Sequence, residues 1–168
     1  MNEILYLALF LSFFIISLVS IIFLVVLFVK MVKWKKGKYL FPRKTFFYTL
    51  SFLVVTGILY YNQYYNLDYL PSGEMNTNIV SPNGKYSIKT YHFTGIYGEN
   101  AKAVLVDLNK NKEKTIYFNR FDYDPYVEWV TNDQVVIGEE KLNIHKDTYD
   151  YRHDPNALRG LTRQRLEH

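Results

Sequence analysis

The sequence predicts a membrane protein of mixed class, α plus all-β: an N-terminal two-helix transmembrane hairpin, then a small antiparallel β-meander of sandwich-like build. Three observations predict it. Two stretches, 4–29 and 45–61, contain no charged residue. Seven basic residues and no acid fall between Lys30 and Lys44. Beyond residue 74, short apolar–polar alternations recur about every ten residues between turn signals, as antiparallel strands do and helices do not. The expected organisation is a hairpin over 1–61, a linker over 62–73, an extracytoplasmic β domain over 74–154 and a tail over 155–168.

The first span, Ile4 to Val29, has 26 uncharged residues. As a helix it reaches about 39 Å, more than the roughly 30 Å hydrocarbon core, so it crosses with tilt. Its polar residues, Tyr6, Ser12, Ser17 and Ser20, make no polar face of the kind a soluble core helix needs. A cleaved signal peptide fits poorly: Met1, Asn2 and Glu3 give no basic leader, the apolar run is too long, and no small-residue cleavage site follows.

The second span, Thr45 to Tyr61, has 17 uncharged residues and reaches only about 25 Å, the lower limit for a crossing. Pro42 suits a first helical turn, and Tyr60, Tyr61, Tyr64 and Tyr65 suit a headgroup layer. Ser51, Thr56 and Gly57 make no clean small-residue packing pattern. Neither span carries an ionisable acid or base, which argues against an ion pathway or proton relay.

Orientation follows from the connection. Lys30, Lys33, Lys35, Lys36, Lys38, Arg43 and Lys44 keep the 30–44 loop cytoplasmic, with Trp34 and Tyr39 as interfacial anchors. The N-terminus and the C-terminal domain are then outside the cell membrane. The other 13 basic residues are balanced by 14 acids from Asp68 to Asp154, so the basic excess is local and no nucleic-acid partner is expected. The absence of cysteine excludes disulfides, thiolate catalysis and Cys-based zinc sites. Richness in Lys, Asn, Ile and Tyr points to an AT-rich bacterial genome.

Pro71-Ser72-Gly73 marks the turn into the β domain. Ser81-Pro82-Asn83-Gly84 is a strong turn signal, with arms at 78–80 and 85–93. Tyr86, Ile88, Thr90 and His92 share one face of the second arm. A loop is expected over 94–100, then strands at 101–108, 114–119, 126–130, 134–138 and 141–145. A frayed helix fits 156–166. Leu166-Glu167-His168 reads as the start of a purification-tag scar.

The Ser81-Pro82-Asn83-Gly84-Lys85 turn resembles that of bacterial β-propeller repeats, but a propeller needs about four blades or more and one copy is present. A wider resemblance runs over roughly 70–153. Tyr69-Leu70-Pro71-Ser72-Gly73, Asn78 to Tyr86, Tyr126 to Trp129 and Leu142 to Arg152 are similar to a family of small bacillary membrane proteins and lipoproteins, classed only as a domain of unknown function. That resemblance implies an envelope location and an all-β outer domain; it brings no activity and no catalytic residue.

The sharpest chemical candidate is the cluster His145, Asp147, Asp150, His153 and Asp154, whose imidazoles and carboxylates are ligand types for zinc or manganese. No H-E-x-x-H motif accompanies it, and salt pairing with Lys146 and Arg152 is the plain alternative. Asp122, Asp124 and Glu128, with Glu139 and Glu140, suit calcium or glycoside chemistry by type, but Pro125 breaks any EF-hand pattern. No G-x-S-x-G elbow or phosphate loop occurs, and no cofactor is expected. Most aromatic residues of so small a domain belong to its core. Tyr97, Tyr123 and Trp129 are the expected contact residues. The leading expectation is a non-enzymatic, membrane-anchored module. Besides the lipid bilayer its expected partners are an envelope protein or polymer, through edge strands such as 78–80, or a second copy of the chain. The alternative is a membrane-bound, metal-dependent hydrolase using the His145–Asp154 cluster.

Overall fold

The computed structural model describes residues 1–95 and 98–157. The chain forms two compact units, one over Leu5–Asn66 and one that takes in Met1–Ile4 and the residues from Leu67 onward.

The first unit is a helical hairpin of α1 (Glu3–Lys35) and α2 (Arg43–Tyr64). Both helices outrun the uncharged stretches. Nothing in Lys30–Lys35 breaks a helix, and α1 ends where Gly37 supplies a left-handed φ of +69°. There Gly37 N donates to Trp34 O at 2.9 Å and Lys38 N to Lys33 O at 3.2 Å, the paired bonds of a Schellman stop. At 22 residues α2 is about 33 Å long, which removes the shortfall computed for 45–61. The connection shrinks to 36–42, so Lys30, Lys33 and Lys35 sit on α1 and Arg43 and Lys44 open α2. Both helices are long and apolar enough to cross a membrane.

Hydroxyl groups mark the seam between them. Ser20 Oγ and Thr56 Oγ1 lie 2.9 Å apart, Lys30 Nζ donates to Thr45 Oγ1 at 2.8 Å, and Phe23 packs on Phe52 with ring centroids 5.0 Å apart. Thr45, Thr49, Thr56 and Gln63 fall on one stripe of α2 at helical spacing.

The second unit is a two-sheet β domain. Its strands are β1 (Glu74–Val80), β2 (Tyr86–Gly95), β3 (Gly98–Asp107), β4 (Lys112–Arg120), β5 (Val127–Trp129), β6 (Gln134–Ile137), β7 (Glu140–Asn143) and β8 (Tyr149–Asp150). The larger sheet has the order β1-β2-β3-β4-β8 and the smaller the order β5-β6-β7. Two antiparallel meanders therefore stack, as the alternation predicted. The exception is β8, which pairs parallel to β4 through Tyr117↔Tyr149 and Phe118↔Asp150. Two residues carry no readable period, so β8 is absent from the sequence reading.

The 81–84 turn forms as expected: Gly84 N donates to Ser81 O at 2.9 Å, with Gly84 at φ +68°. The loop expected over 94–100 is much tighter. β2 and β3 stay paired to Gly95↔Gly98, because glycines at both positions accept the close approach a hairpin end needs. The expected 62–73 linker is divided too. Its first residues belong to α2, while Leu67, Leu70 and Pro71 are buried in the domain and Asp68 accepts from Thr115 N at 3.3 Å.

One core joins the sheets. Ile88, Ala103, Leu105, Ile116 and Tyr117 from the larger sheet cluster with Val127, Val135, Ile137 and Leu142 from the smaller, and with Ile144 beyond β7. Ile116 and Tyr117 both join it because a β-bulge breaks the period opposite Ala103/Val104.

Candidate functional site

The core face of the larger sheet changes character along its strands. One end is apolar and lies in the common core. The other end is polar, and there β1, the end of β2 and the 120–125 loop meet.

The meeting depends on a second bulge. Thr77 pairs with Thr90 and Met75 with Tyr91, so Asn76 is the extra residue. Its amide is turned to two partners: Oδ1 faces His92 Nδ1, and Nδ2 donates to the Tyr123 carbonyl. His92 in turn lies against the Tyr123 ring with centroids 4.0 Å apart, and its Nε2 is 3.7 Å from Glu74 Oε2. Beside this group Thr77 Oγ1 and Thr90 Oγ1 are 2.7 Å apart.

Beneath the 120–125 loop is a buried polar triad. Tyr117 Oη donates to Asp122 Oδ2 at 3.0 Å and accepts from Asn119 Nδ2 at 3.1 Å. Asp122 is 1% exposed. Burial, reinforced by the adjacent carboxylate of Asp122, pushes the Tyr117 hydroxyl far above the ordinary tyrosine range. It is a fixed donor, not a base or nucleophile. The triad holds a loop in which Phe121 takes a left-handed φ of 56°. Phe121 and Tyr123 are both more than half exposed, and the Arg120 guanidinium sits 4.5 Å over the Phe121 ring. What this end offers is a fixed aromatic and cationic surface beside an unpaired strand edge: among the described residues β1 pairs only with β2.

The residues expected to act separate into three groups. Of the contact residues, Tyr123 belongs to this surface. Trp129 does not; it packs on the core and donates Nε1 to Ile79 O at 3.2 Å. Tyr97 lies outside the described residues. The five metal-type residues are divided among different partners. His145 Nε2 is 3.1 Å from Asp133 Oδ1, and Asp147 Oδ2 caps Asn143 N at 2.8 Å. Asp150 takes a two-point contact from Arg152, with Nε 2.8 Å from Oδ1, and His153 Nε2 is 3.8 Å from its other oxygen. Asp154 accepts from Tyr149 Oη at 3.2 Å. Among the described residues no three His, Asp or Glu side chains gather to hold a metal ion. Of the second acidic set, Asp122 enters the triad, Glu128 accepts from Tyr126 Oη at 2.8 Å, and burial raises Glu140 with help from Asp154 and Glu139.

Asn76 and Asn119 are absent from the sequence reading, and His92 enters it only as a member of one strand face, not as a site residue. The one available signal was His92 sharing the core-facing alternation of Ile88 and Thr90, an imidazole on a face that buries its neighbours.

A family model described as a family of unknown function (DUF5412) matches residues 42–154. No curated protein and no solved structure matches the chain.

Proposed function

This chain belongs to DUF5412, a family of unknown function, and we propose that it is a bilayer-anchored module that displays its β domain outside the cell to a protein or envelope-polymer partner. One observation carries the anchor: apolar side chains are exposed all round both helices, Leu18 at 61%, Phe28 at 69% and Ile58 at 56% among many. Leaving one such side chain in water forgoes about 1.5–3 kcal/mol, and more than a dozen together exceed the whole stability of an ordinary domain. A hydrocarbon solvent removes that cost. The family match supports the pairing of anchor and domain, since it takes in α2 together with the β domain. Orientation rests on the cations of 30–44, which favour the cytoplasmic leaflet and so put the domain outside.

The partner surface in this reading is the polar end of the larger sheet, where Tyr123 stands beside the open edge of β1 and Phe121 lies by Gly98 at the start of β3. Both halves are tested in intact cells. Alkaline carbonate extraction of membranes isolated from those cells is expected to leave the chain in the pellet, and protease added to the intact cells is expected to remove the β domain. A photo-crosslinking residue at Tyr123 is expected to yield an adduct that the same residue at Lys110, on the turn at the far end of β3, does not. A domain cleaved only in inverted vesicles refutes the orientation, and adducts independent of position refute the surface.

A further inference from the structure

We propose that the connection between the two helices holds the phosphate of an anionic phospholipid headgroup, an inference that rests on the membrane reading above. Residues 5–66 contain seven cations, all between Lys30 and Lys44, and no acidic residue at all. Within that unit these charges have no counter-ion, so their neutralising charge comes from outside it.

The helix ends shape a place for it. A groove of about 850 Å³ is lined by the cations Lys30, Lys33 and Lys38 and by Tyr39, Leu40 and Pro42, which bring apolar surface. Two of the cations are positioned in advance. Lys30 Nζ is held by Thr45 Oγ1 at 2.8 Å, and Lys33 Nζ stands 5.8 Å over the Tyr39 ring. Pro42, which caps α2, has no side-chain acceptor, and the first turn of α2 contains no acid. The positive end of that helix is thus left for an incoming anion.

The exposed apolar lining selects the source of the phosphate. Leu40 is 93% exposed and Tyr39 63% exposed. A free phosphate neutralises the lysines and leaves both side chains in water. A phospholipid places its phosphate among the ammonium groups and its glycerol and upper acyl carbons against Leu40 and Tyr39. The groove also sits at the end of two apolar helices, the level at which headgroups lie when those helices span a bilayer.

The test uses the full chain in neutral detergent, titrated with phosphatidylglycerol, phosphatidylcholine or inorganic phosphate and read by native mass spectrometry. Phosphatidylglycerol is expected to be retained at about one tenth of the concentration phosphatidylcholine requires. Each of Lys30→Gln, Lys33→Gln and Lys38→Gln weakens that retention about fivefold, the change that ~1 kcal/mol per charge gives. A control removing Lys110, Lys112 and Lys114 in the β domain leaves it unchanged. Leu40→Ser, which keeps every charge, also weakens it. That second variant keeps the test decisive if the lysine variants lose helicity by circular dichroism. Equal retention of the two lipids, indifference to the lysine and Leu40 changes, or displacement by equimolar inorganic phosphate overturns the proposal. Carbonate extraction separates the two readings: a chain that leaves the membrane pellet fails as an anchor, whereas one that stays and shows no lipid preference fails only here.

Discussion

Replacing Tyr117 by Phe removes one oxygen from a fully buried polar group of the domain and little else. The ring keeps its volume and its stack on Tyr149, with centroids 5.4 Å apart. What is lost is the bond donated to Asp122 at 3.0 Å and the bond accepted from Asn119 at 3.1 Å. A bond to a carboxylate contributes roughly 1.5–3 kcal/mol and a neutral one about 1 kcal/mol. Water cannot easily replace the hydroxyl, because Asp122 is 1% exposed and Asn119 5% exposed. The expected loss is therefore about 2–4 kcal/mol, or a fall in Tm of roughly 10–20 °C for a domain of about 90 residues. The assay is thermal unfolding of the full chain in mild detergent, followed by Trp129 fluorescence in a Trp34→Phe background. Trp129 packs on the domain core and reports its melting. Asn119→Ala added to Tyr117→Phe should cost less than the sum of the two changes, since both act on one bond. A Tm shift under 3 °C would mean that the triad is not a closed network and would refute the account of how the 120–125 loop is held.

Two further outcomes follow from the same domain. Gly73→Ala drives a Cβ into the His92 carbonyl oxygen at a φ of +69°; backbone strain alone costs about 1–2 kcal/mol and the clash adds to it, so a Tm drop of at least 5 °C is expected, and a neutral result contradicts the packing of 70–73 against β2. Burial holds the Lys102 ammonium below its ordinary 10.5, against the opposing pull of Asp68 and Glu113. The unfolded chain then binds this proton more tightly than the folded one, so stability rises as pH climbs through the lowered value toward 10.5. Lys102→Met should raise Tm at pH 7, with the advantage shrinking toward pH 10.5, and an advantage independent of pH counts against burial as the cause.

The parts of the fold legible in the sequence are those fixed by long repeats or strong local chemistry. Twenty-six uncharged residues need no context to be read as a helix, and Ser81-Pro82-Asn83-Gly84 makes its turn from its own φ preferences. The helix ends are not legible from charge, because both helices run on past the uncharged stretches into the basic residues. A lysine stem is a good helix former, and α1 stops only at Gly37. The hydroxyl seam was missed for a related reason. Thr45, Thr49 and Thr56 look apolar enough to pass as filler, and only the presence of Ser20 and Lys30 opposite gives them partners. The expected 94–100 loop failed because Gly95 and Gly98 signal a turn without saying how few residues separate the strands.

The candidate site was less legible because a bulge makes it. Strand alternation assigns Asn76 to the face opposite Thr77, yet the register break between Met75 and Thr77 turns it toward His92 and Tyr123. The same bulge bears on what β1 can do. An edge strand invites pairing unless a charge, a proline, a bulge or a cover blocks it. β1 contains no lysine and no proline, only Glu74 at its start. The Asn76 bulge, tied to His92 and the 120–125 loop, closes the first half of the edge. The second half, Thr77 to Val80, keeps regular pairing with β2 on one side, while Val80 is 50% exposed. The side-chain bonds that distort one half of β1 therefore also fix the geometry of the half left open, including the 78–80 segment expected to receive a partner strand. Under the proposed role, a half-edge of four residues is long enough for a short added strand to pair with, and its regular register with β2 limits how that strand can align.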